Sequence, residues 1–201
     1  MMQEFSQQVE ETARAVVDEI HTALPGTIVA FNPGSGTATV KPSGKYITSD
    51  GKSLEYPQIS EVPVAFPFCP TAGVGVAFPV TKGDSCIVIV SEVELDEWRT
   101  GAESEGSLRY DLTNAMCIPG LLDGGAGLIE KACKNNAVIV GAGDVEVMVS
   151  DAGAVLTSGS TKMTISDAGV AVSGNLKVSG NISSTGTVKA GEIDLKQHVH
   201  K

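Results

Sequence analysis

The last third of the chain, residues 137–201, contains no Phe, Tyr, Trp or Pro. Short blocks of small and β-branched residues end at glycines, and the sequence Ser-Asp-Ala-Gly occurs twice, at residues 150–153 and 166–169. Inside the blocks apolar residues alternate with polar ones, as at Val145, Val147 and Val149. Alternation that is interrupted by turn residues every few positions predicts a series of short β-strands.

A series of such strands has little side-chain volume for a core of its own and leaves both edges of its ladder unpaired. Identical copies of the chain are the simplest partners for these edges. Three chains wound around one axis would pair their strands and bring Val and Ile side chains together. The segment therefore predicts an intertwined, trimeric β-prism or β-helix. A single-chain solenoid is the alternative, although so short a segment forms few coils and shows no capping element.

Two histidines near the end of this segment, His198 and His200, are predicted to bind a metal. Residues two apart on an extended strand project from the same face. In isolation such a pair is typical of solvated histidines. On a threefold axis three chains supply six imidazoles, which suits an octahedral first-row metal such as iron, whereas zinc usually takes four ligands. An ion whose ligands all come from protein has a structural role and no open position for a substrate.

Four motifs, in order along the chain, carry a family resemblance. They are Gly-Asp-Ser-Cys-Ile-Val-Ile-Val at residues 83–90, Leu-Asp-Glu-Trp at 95–98, Tyr-Asp-Leu at 110–112 and Ile-Pro-Gly-Leu at 118–121. The glycine-punctuated β segment and the His-x-His sequence follow them. Over essentially its full length the chain resembles the central spike, or baseplate assembly protein V, of contractile-tailed bacteriophages of the Mu-like and P2-like kind.

The resemblance implies a homotrimer whose iron-bearing apex pierces the host outer membrane when the tail sheath contracts, with only transient membrane contact. It implies an oligonucleotide/oligosaccharide-binding (OB) fold in the head, a triple-stranded β-helix shaft, and an N-terminal region that binds the baseplate hub protein. Calcium or chloride ions along the shaft axis are a further implication. The expected location is the baseplate tip of the virion, after assembly in the host cytoplasm.

The predicted fold is mainly β and has five parts. These are an N-terminal docking helix (1–24), an OB-fold-like β-barrel (25–120), a flexible neck (121–136), the trimeric β-helix shaft (137–195) and the metal-binding apex (196–201). The helix is predicted from apolar residues spaced three and four apart between Phe5 and Leu24. It could pack on its own domain, dock into the hub, or form a bundle with its two copies.

The head is predicted to contain a hairpin over residues 28–41 and strands at 62–68, 75–79 and 86–90, which suit a small barrel. Residues 42–55 are expected to form a loop or hairpin tip. Residues 93–98 predict a short helix or turn. There, a solvated acidic face with Trp98 packed beneath it is favoured over a glycosidase carboxylate pair.

The formal charge of −10 lies almost entirely upstream of residue 137, since residues 137–201 contain six Asp/Glu and five Lys/Arg. An acidic head argues against binding nucleic acid or anionic lipid. The sequence shows no signal peptide and no membrane-spanning segment. The four cysteines, Cys69, Cys86, Cys117 and Cys133, are expected to be buried, reduced thiols.

These observations predict a structural protein and not an enzyme. A trimeric tail-fibre-like protein that binds a receptor is the alternative, although it should present a broader tip that bears aromatic residues. A metalloenzyme would need an open coordination position and a substrate pocket, which a segment of Ser, Gly, Val and Ala does not supply.

Overall fold

A computed structural model describes residues 2–18, 20–48, 51–102, 108–122, 124, 126–191 and 193–194. The chain divides into two compact units, Met1–Gly124 and Gly125–Lys201. The first contains an N-terminal helix and a β domain, here called the head, and the second is called the tail unit. The described elements are mainly strands with a short N-terminal helix, which confirms the predicted fold class at this level.

Helix α1 spans Met2–Asp18 and is shorter than the predicted helix. Strand β1 begins at Ala23, so the prediction that the helix extends to Leu24 is wrong. The cause is tertiary pairing, because β1 runs antiparallel to a later strand and Leu24 lies opposite Val88. Gly26 permits this close approach, since a Cβ at that position would lie 3.0 Å from side-chain atoms of Val40 and Val88.

The head contains nine strands and one further helix among the described residues. In chain order they are β1 (Ala23–Asn32), β2 (Thr37–Pro42), β3 (Lys45–Ile47), β4 (Ser53–Glu55), β5 (Ile59–Pro63), β6 (Phe68–Cys69), β7 (Val74–Gly75), β8 (Ser85–Val90), α2 (Leu95–Thr100) and β9 (Ala115–Pro119). Five strands form an antiparallel sheet in the order β5-β2-β1-β8-β9. The pairs β3–β4 and β6–β7 are separate hairpins.

The five-stranded sheet curls into a half-barrel, where the sequence predicted a small barrel. Beyond β5, Val64 forms a parallel bridge with Cys117 of β9, and the Ala65 N–H donates to the Cys117 carbonyl at 2.8 Å. Alternate residues of the central strands are fully buried inside the curl, among them Ile28, Val40 and Val88. The β1–β2 hairpin confirms the one predicted over residues 28–41.

Predictions about a short strand and about the cysteines are also wrong. A strand was expected over residues 75–79, but only Val74–Gly75 pairs, with Phe68–Cys69. The prolines of this region have no N–H to contribute to a ladder, which limits the hairpin to two residue pairs. All four cysteines were expected to be buried, yet Cys69, on this short hairpin, is exposed, as is Cys133 in the tail unit.

The other two cysteines, Cys86 and Cys117, are free thiols inside the core of the head. A hydrogen bond with Cys86 and burial both raise the pKa of the Cys117 thiol, and the same hydrogen bond lowers the pKa of Cys86. A buried thiol with a raised pKa stays protonated and packs as a small apolar side chain.

The tail unit contains one helix and seven strands among the described residues. They are α3 (Gly127–Asn135), β10 (Val138–Ala142), β11 (Val145–Ser150), β12 (Gly153–Ser158), β13 (Thr161–Ser166), β14 (Gly169–Ser173), β15 (Lys189–Ala190) and β16 (Ile193–Asp194). Strands β10 to β14 form one antiparallel sheet in chain order, here called the tail sheet. Both Ser-Asp-Ala-Gly sequences form the turns that join consecutive strands, as predicted.

Two features of the tail unit differ from expectation. The predicted flexible neck contains α3, a helix that ends at Asn136 in a left-handed conformation, where backbone N–H groups cap the carbonyls of Ala132 and Cys133. The strands were expected to pair between copies, but β10 to β14 pair with their neighbours in the same chain. Chain connectivity explains this, because tight turns bring consecutive strands together.

Candidate functional site

One face of the tail sheet carries two adjacent rows of apolar side chains. Directly paired residues on antiparallel strands project from the same face. One row crosses all five strands and another runs beside it, and together they define the apolar face. The rows are Val140, Val147, Leu156, Met163 and Val172, and then Val138, Val149, Ala154, Ile165 and Val170.

The apolar face is open to solvent in the single chain. Nine of its ten residues are exposed, all except the half-buried Ala154. Even Met163, on the interior strand β13, is 39% exposed, and Val138, on the edge strand β10, is 70% exposed. Soluble monomers rarely expose a contiguous apolar surface that crosses a whole sheet, and such surfaces mark interaction sites. This face is the strongest candidate functional site of the described chain.

The opposite face of the tail sheet is more polar and partly covered. It combines a polar row with a mostly apolar one. The rows are Gly141, Glu146, Thr157, Lys162 and Ser173, and then Ile139, Met148, Val155, Thr164 and Ala171. Helix α3 lies against it at one end, where a Cβ on Gly141 would be 3.2 Å from Leu128 Cδ1. Lys131 Nζ of α3 forms an ion pair with Glu146 Oε1. The two faces therefore have different chemistry, and only one lacks a covering element among the described residues.

The apolar face is suited to bind another apolar surface and not a polar ligand. Neither of its two rows contains an ionisable or hydrogen-bonding side chain. Covering it would remove apolar area from water at about 25 cal/mol per Å² without a charge to desolvate. The chemistry of this site is association, and its partner must present a similarly flat, apolar surface.

A second exposed feature lies in the head, on helix α2. Trp98 is 72% exposed, so the prediction that it packs beneath an acidic face is wrong. Two of the carboxylates around it are exposed, with Glu92 3.4 Å from Arg109 and Asp96 3.7 Å from Arg99. Glu97 is half-buried, and its Oε2 has no hydrogen-bond partner among the described residues. The acidic surface is largely solvated, as expected, and its tryptophan faces outward.

Asn114 explains why α2 holds this orientation. Its side chain is buried and its Nδ2 donates to the backbone carbonyls of Val93 and Leu108, both at 3.0 Å, and to that of Ser91 at 3.3 Å. Its Oδ1 accepts from the Leu95 N–H, at the first residue of α2, at 2.9 Å. One buried amide therefore ties three segments of the head together.

Replacing Asn114 with Ala should lower the free energy of unfolding of the head by about 2–4 kcal/mol, because buried backbone groups lose their partner. Denaturant unfolding measures the change. Thr113→Ala is the control, since Thr113 is exposed and its side chain hydrogen-bonds to the exposed Asp111. Equal losses in the two variants would show that the buried amide does not organise this region.

The sequence-predicted metal ligands, His198 and His200, lie outside the described residues, so the metal site stays a prediction. Sequence reasoning found the alternation that builds the apolar face. It missed the outward Trp98, because the charged residues on either side of it in α2 offered no signal that would have separated the two orientations.

Comparison with known proteins bears on the head. Residues 24–120 match the family described as the phage protein Gp138 N-terminal domain. The matched segment contains nearly all of the head's strands, from β1 to β9. No curated protein matches the chain. Among the described residues, no helix combines the length and the hydropathy needed to cross a bilayer.

The family match supports the broader of the sequence-based predictions, a structural phage protein associated with the tail or baseplate. The match does not extend to the narrower prediction of a membrane-piercing spike.

Proposed function

We propose that the chain is one subunit of a homotrimeric spike at the tip of a contractile phage tail, where it pierces the host outer membrane mechanically and has no enzymatic activity. The observation that carries this proposal is the apolar face of the tail sheet, which is exposed in one chain and needs a flat, apolar partner. The match of residues 24–120 to a phage protein domain supports the phage context and a location in the virion.

Other copies of the tail sheet would provide the flat, apolar partner that the apolar face needs. Three tail sheets arranged around one axis would turn their apolar rows inward and their polar faces outward, which gives a dry interior like that between packed sheets. Two sheets stacked face to face would also bury the rows. Three copies are favoured because His198 and His200 would then supply six imidazoles, the number that an octahedral metal takes.

In this proposal the shaft works through stiffness. A trimer with a packed apolar interior resists bending and separates only when the interior is exposed to water, so its dissociation is slow. The proposed apex holds iron, and calcium or chloride ions would occupy the shaft axis. The N-terminal region would dock the trimer to the baseplate hub. Contact with the membrane is transient, and nucleic acid is not a partner.

Particle mass tests the proposal directly. Sedimentation or mass photometry of the full chain should give three times the 20.7 kDa of one chain. A stable particle of one chain would remove the axis on which the shaft and the metal site depend. A dimer would keep the buried apolar face and remove the six-imidazole site.

The metal content of the trimer is a separate prediction. Elemental analysis of the purified full chain should find about one iron atom per three chains, and the double variant His198→Ala/His200→Ala should contain none. The variant should remain trimeric, because its tail sheet is unchanged. His21→Ala, at a histidine of the head that is distant in sequence, serves as the control and should keep the iron. One metal per chain, or iron retained by the double variant, would contradict the proposed site.

A further inference from the structure

Helix α1 has an apolar side that no described part of the chain covers. Every described side chain between residues 5 and 17 is exposed, including Phe5 at 70%, Val9 at 53% and Val16 at 58%. An isolated helix of 17 residues is marginally stable in water, and most helices in proteins depend on packing of an apolar side. Helix α1 therefore needs a partner.

The apolar residues of α1 follow a coiled-coil spacing. Phe5, Val9, Thr12 and Val16 are separated by four, three and four residues, which places them at the alternating d and a positions of a heptad. Thr12 fits this seam because its hydroxyl already donates to the Gln8 carbonyl at 2.8 Å within the helix. Val9, Thr12 and Val16 belong to an open, largely apolar patch on the surface of the helix, and this patch follows the seam.

Charge is segregated away from this seam. The positions that flank a and d, where coiled coils often place charged residues, are occupied by Ser6, Ala13, Gln8 and Ala15. The charged residues lie on the outer side, where Arg14 and Glu10 form an ion pair at 2.6 Å. Glu11 lies beside them on the same polar part of the helix surface. Identical helices can therefore approach closely along the seam without bringing like charges together.

We propose that α1 packs against the α1 helices of the other two copies as a parallel three-helix coiled coil. This inference rests on the proposed trimer, because a helix this short needs the other copies on the same particle. Linkage through the tail units would hold the helices at an effective concentration on the order of millimolar, which promotes a weak association. The bundle would display Glu10, Glu11 and Arg14 outward, as a charged surface that the hub could contact.

Disulfide trapping in the full chain tests this packing. The exposed native thiols are first removed by Cys69→Ser and Cys133→Ser, whereas the buried Cys86 and Cys117 are kept. Val9→Cys then places a thiol in the seam, and Glu11→Cys places one on the outer side as the matched control. Under mild oxidation, non-reducing electrophoresis should show linked pairs of chains for Val9→Cys at a rate at least about tenfold above that for Glu11→Cys.

The particle mass of each variant under reducing conditions, measured on the same samples, tests the coiled coil and the proposed trimeric spike separately. If both variants are trimeric and both crosslink slowly, the coiled coil is overturned and the spike proposal stands, with the hub as the partner that covers the seam. If both variants are trimeric and crosslink equally fast, the proposed assignment of Val9 to the seam and Glu11 to the outer side is overturned. Particles of a single chain would overturn the coiled coil and the proposed function together.

Discussion

The variant Met163→Glu is expected to abolish trimer formation at micromolar concentrations. Met163 lies in the row of the apolar face that crosses all five strands, opposite Leu156 on one side and Val172 on the other. A trimer would enclose three carboxylates in an apolar interior, and burying an unpaired charge costs several kcal/mol for each group. Sedimentation of the full-length variant should show particles of one chain.

Lys162→Glu is the matched control for this variant. Lys162 precedes Met163 on the same strand and projects from the opposite, more polar face of the tail sheet. Both variants place a carboxylate on β13, but only Met163→Glu places it on the apolar face. If both variants remained trimeric, the apolar face would not be the assembly surface, and the central observation behind the spike proposal would be lost.

A second large effect is expected from Gly153→Ala, in the first of the two Ser-Asp-Ala-Gly turns. Gly153 has a φ of 125°, which disfavours any L side chain, and a Cβ there would collide with the carbonyl oxygen of Ile165 on the neighbouring strand. We expect a loss of about 3 kcal/mol or more, because backbone strain and a backbone clash add. The midpoint of thermal unfolding should fall by roughly 10 °C.

Gly169→Ala separates the two causes. Gly169 occupies the same place in the second Ser-Asp-Ala-Gly turn and has a similar φ of 115°, but no atom lies within 4 Å of the position that a Cβ would occupy there. Its substitution should cost only the strain of the left-handed backbone, about 1–2 kcal/mol. Similar decreases in the two variants would show that Ile165 moves aside without cost and that strand packing at Gly153 is loose.

Local patterns in the sequence were sufficient to predict the elements whose partners are nearby in the chain. The β1–β2 hairpin and the two Ser-Asp-Ala-Gly turns depend on residues a few positions apart, and their predictions are confirmed. The alternation at Val145, Val147 and Val149 likewise predicted which residues share one face of the tail sheet. Turn chemistry and alternation are properties that a short segment carries by itself.

Features that depend on distant partners were not predictable in this way. Leu24 continues the helical spacing of α1, yet it lies in a strand because β8, some sixty residues later, pairs with it. The outward position of Trp98 depends on Asn114, which fixes the start of α2 from another segment. Tertiary contacts of this kind override local propensity. A short window of sequence therefore does not determine whether Leu24 is helical or where Trp98 points.

The order of strands in the tail sheet has a consequence for how the protein is made. Since β10 to β14 each pair with the next strand along the chain, the sheet has low contact order and can form early, on a newly synthesised polypeptide. In the proposed trimer, the apolar face of that sheet would then be exposed before the other two subunits have bound. During this interval, crowding of nascent chains favours aggregation, and in the proposed trimer rapid association of the subunits would limit that loss.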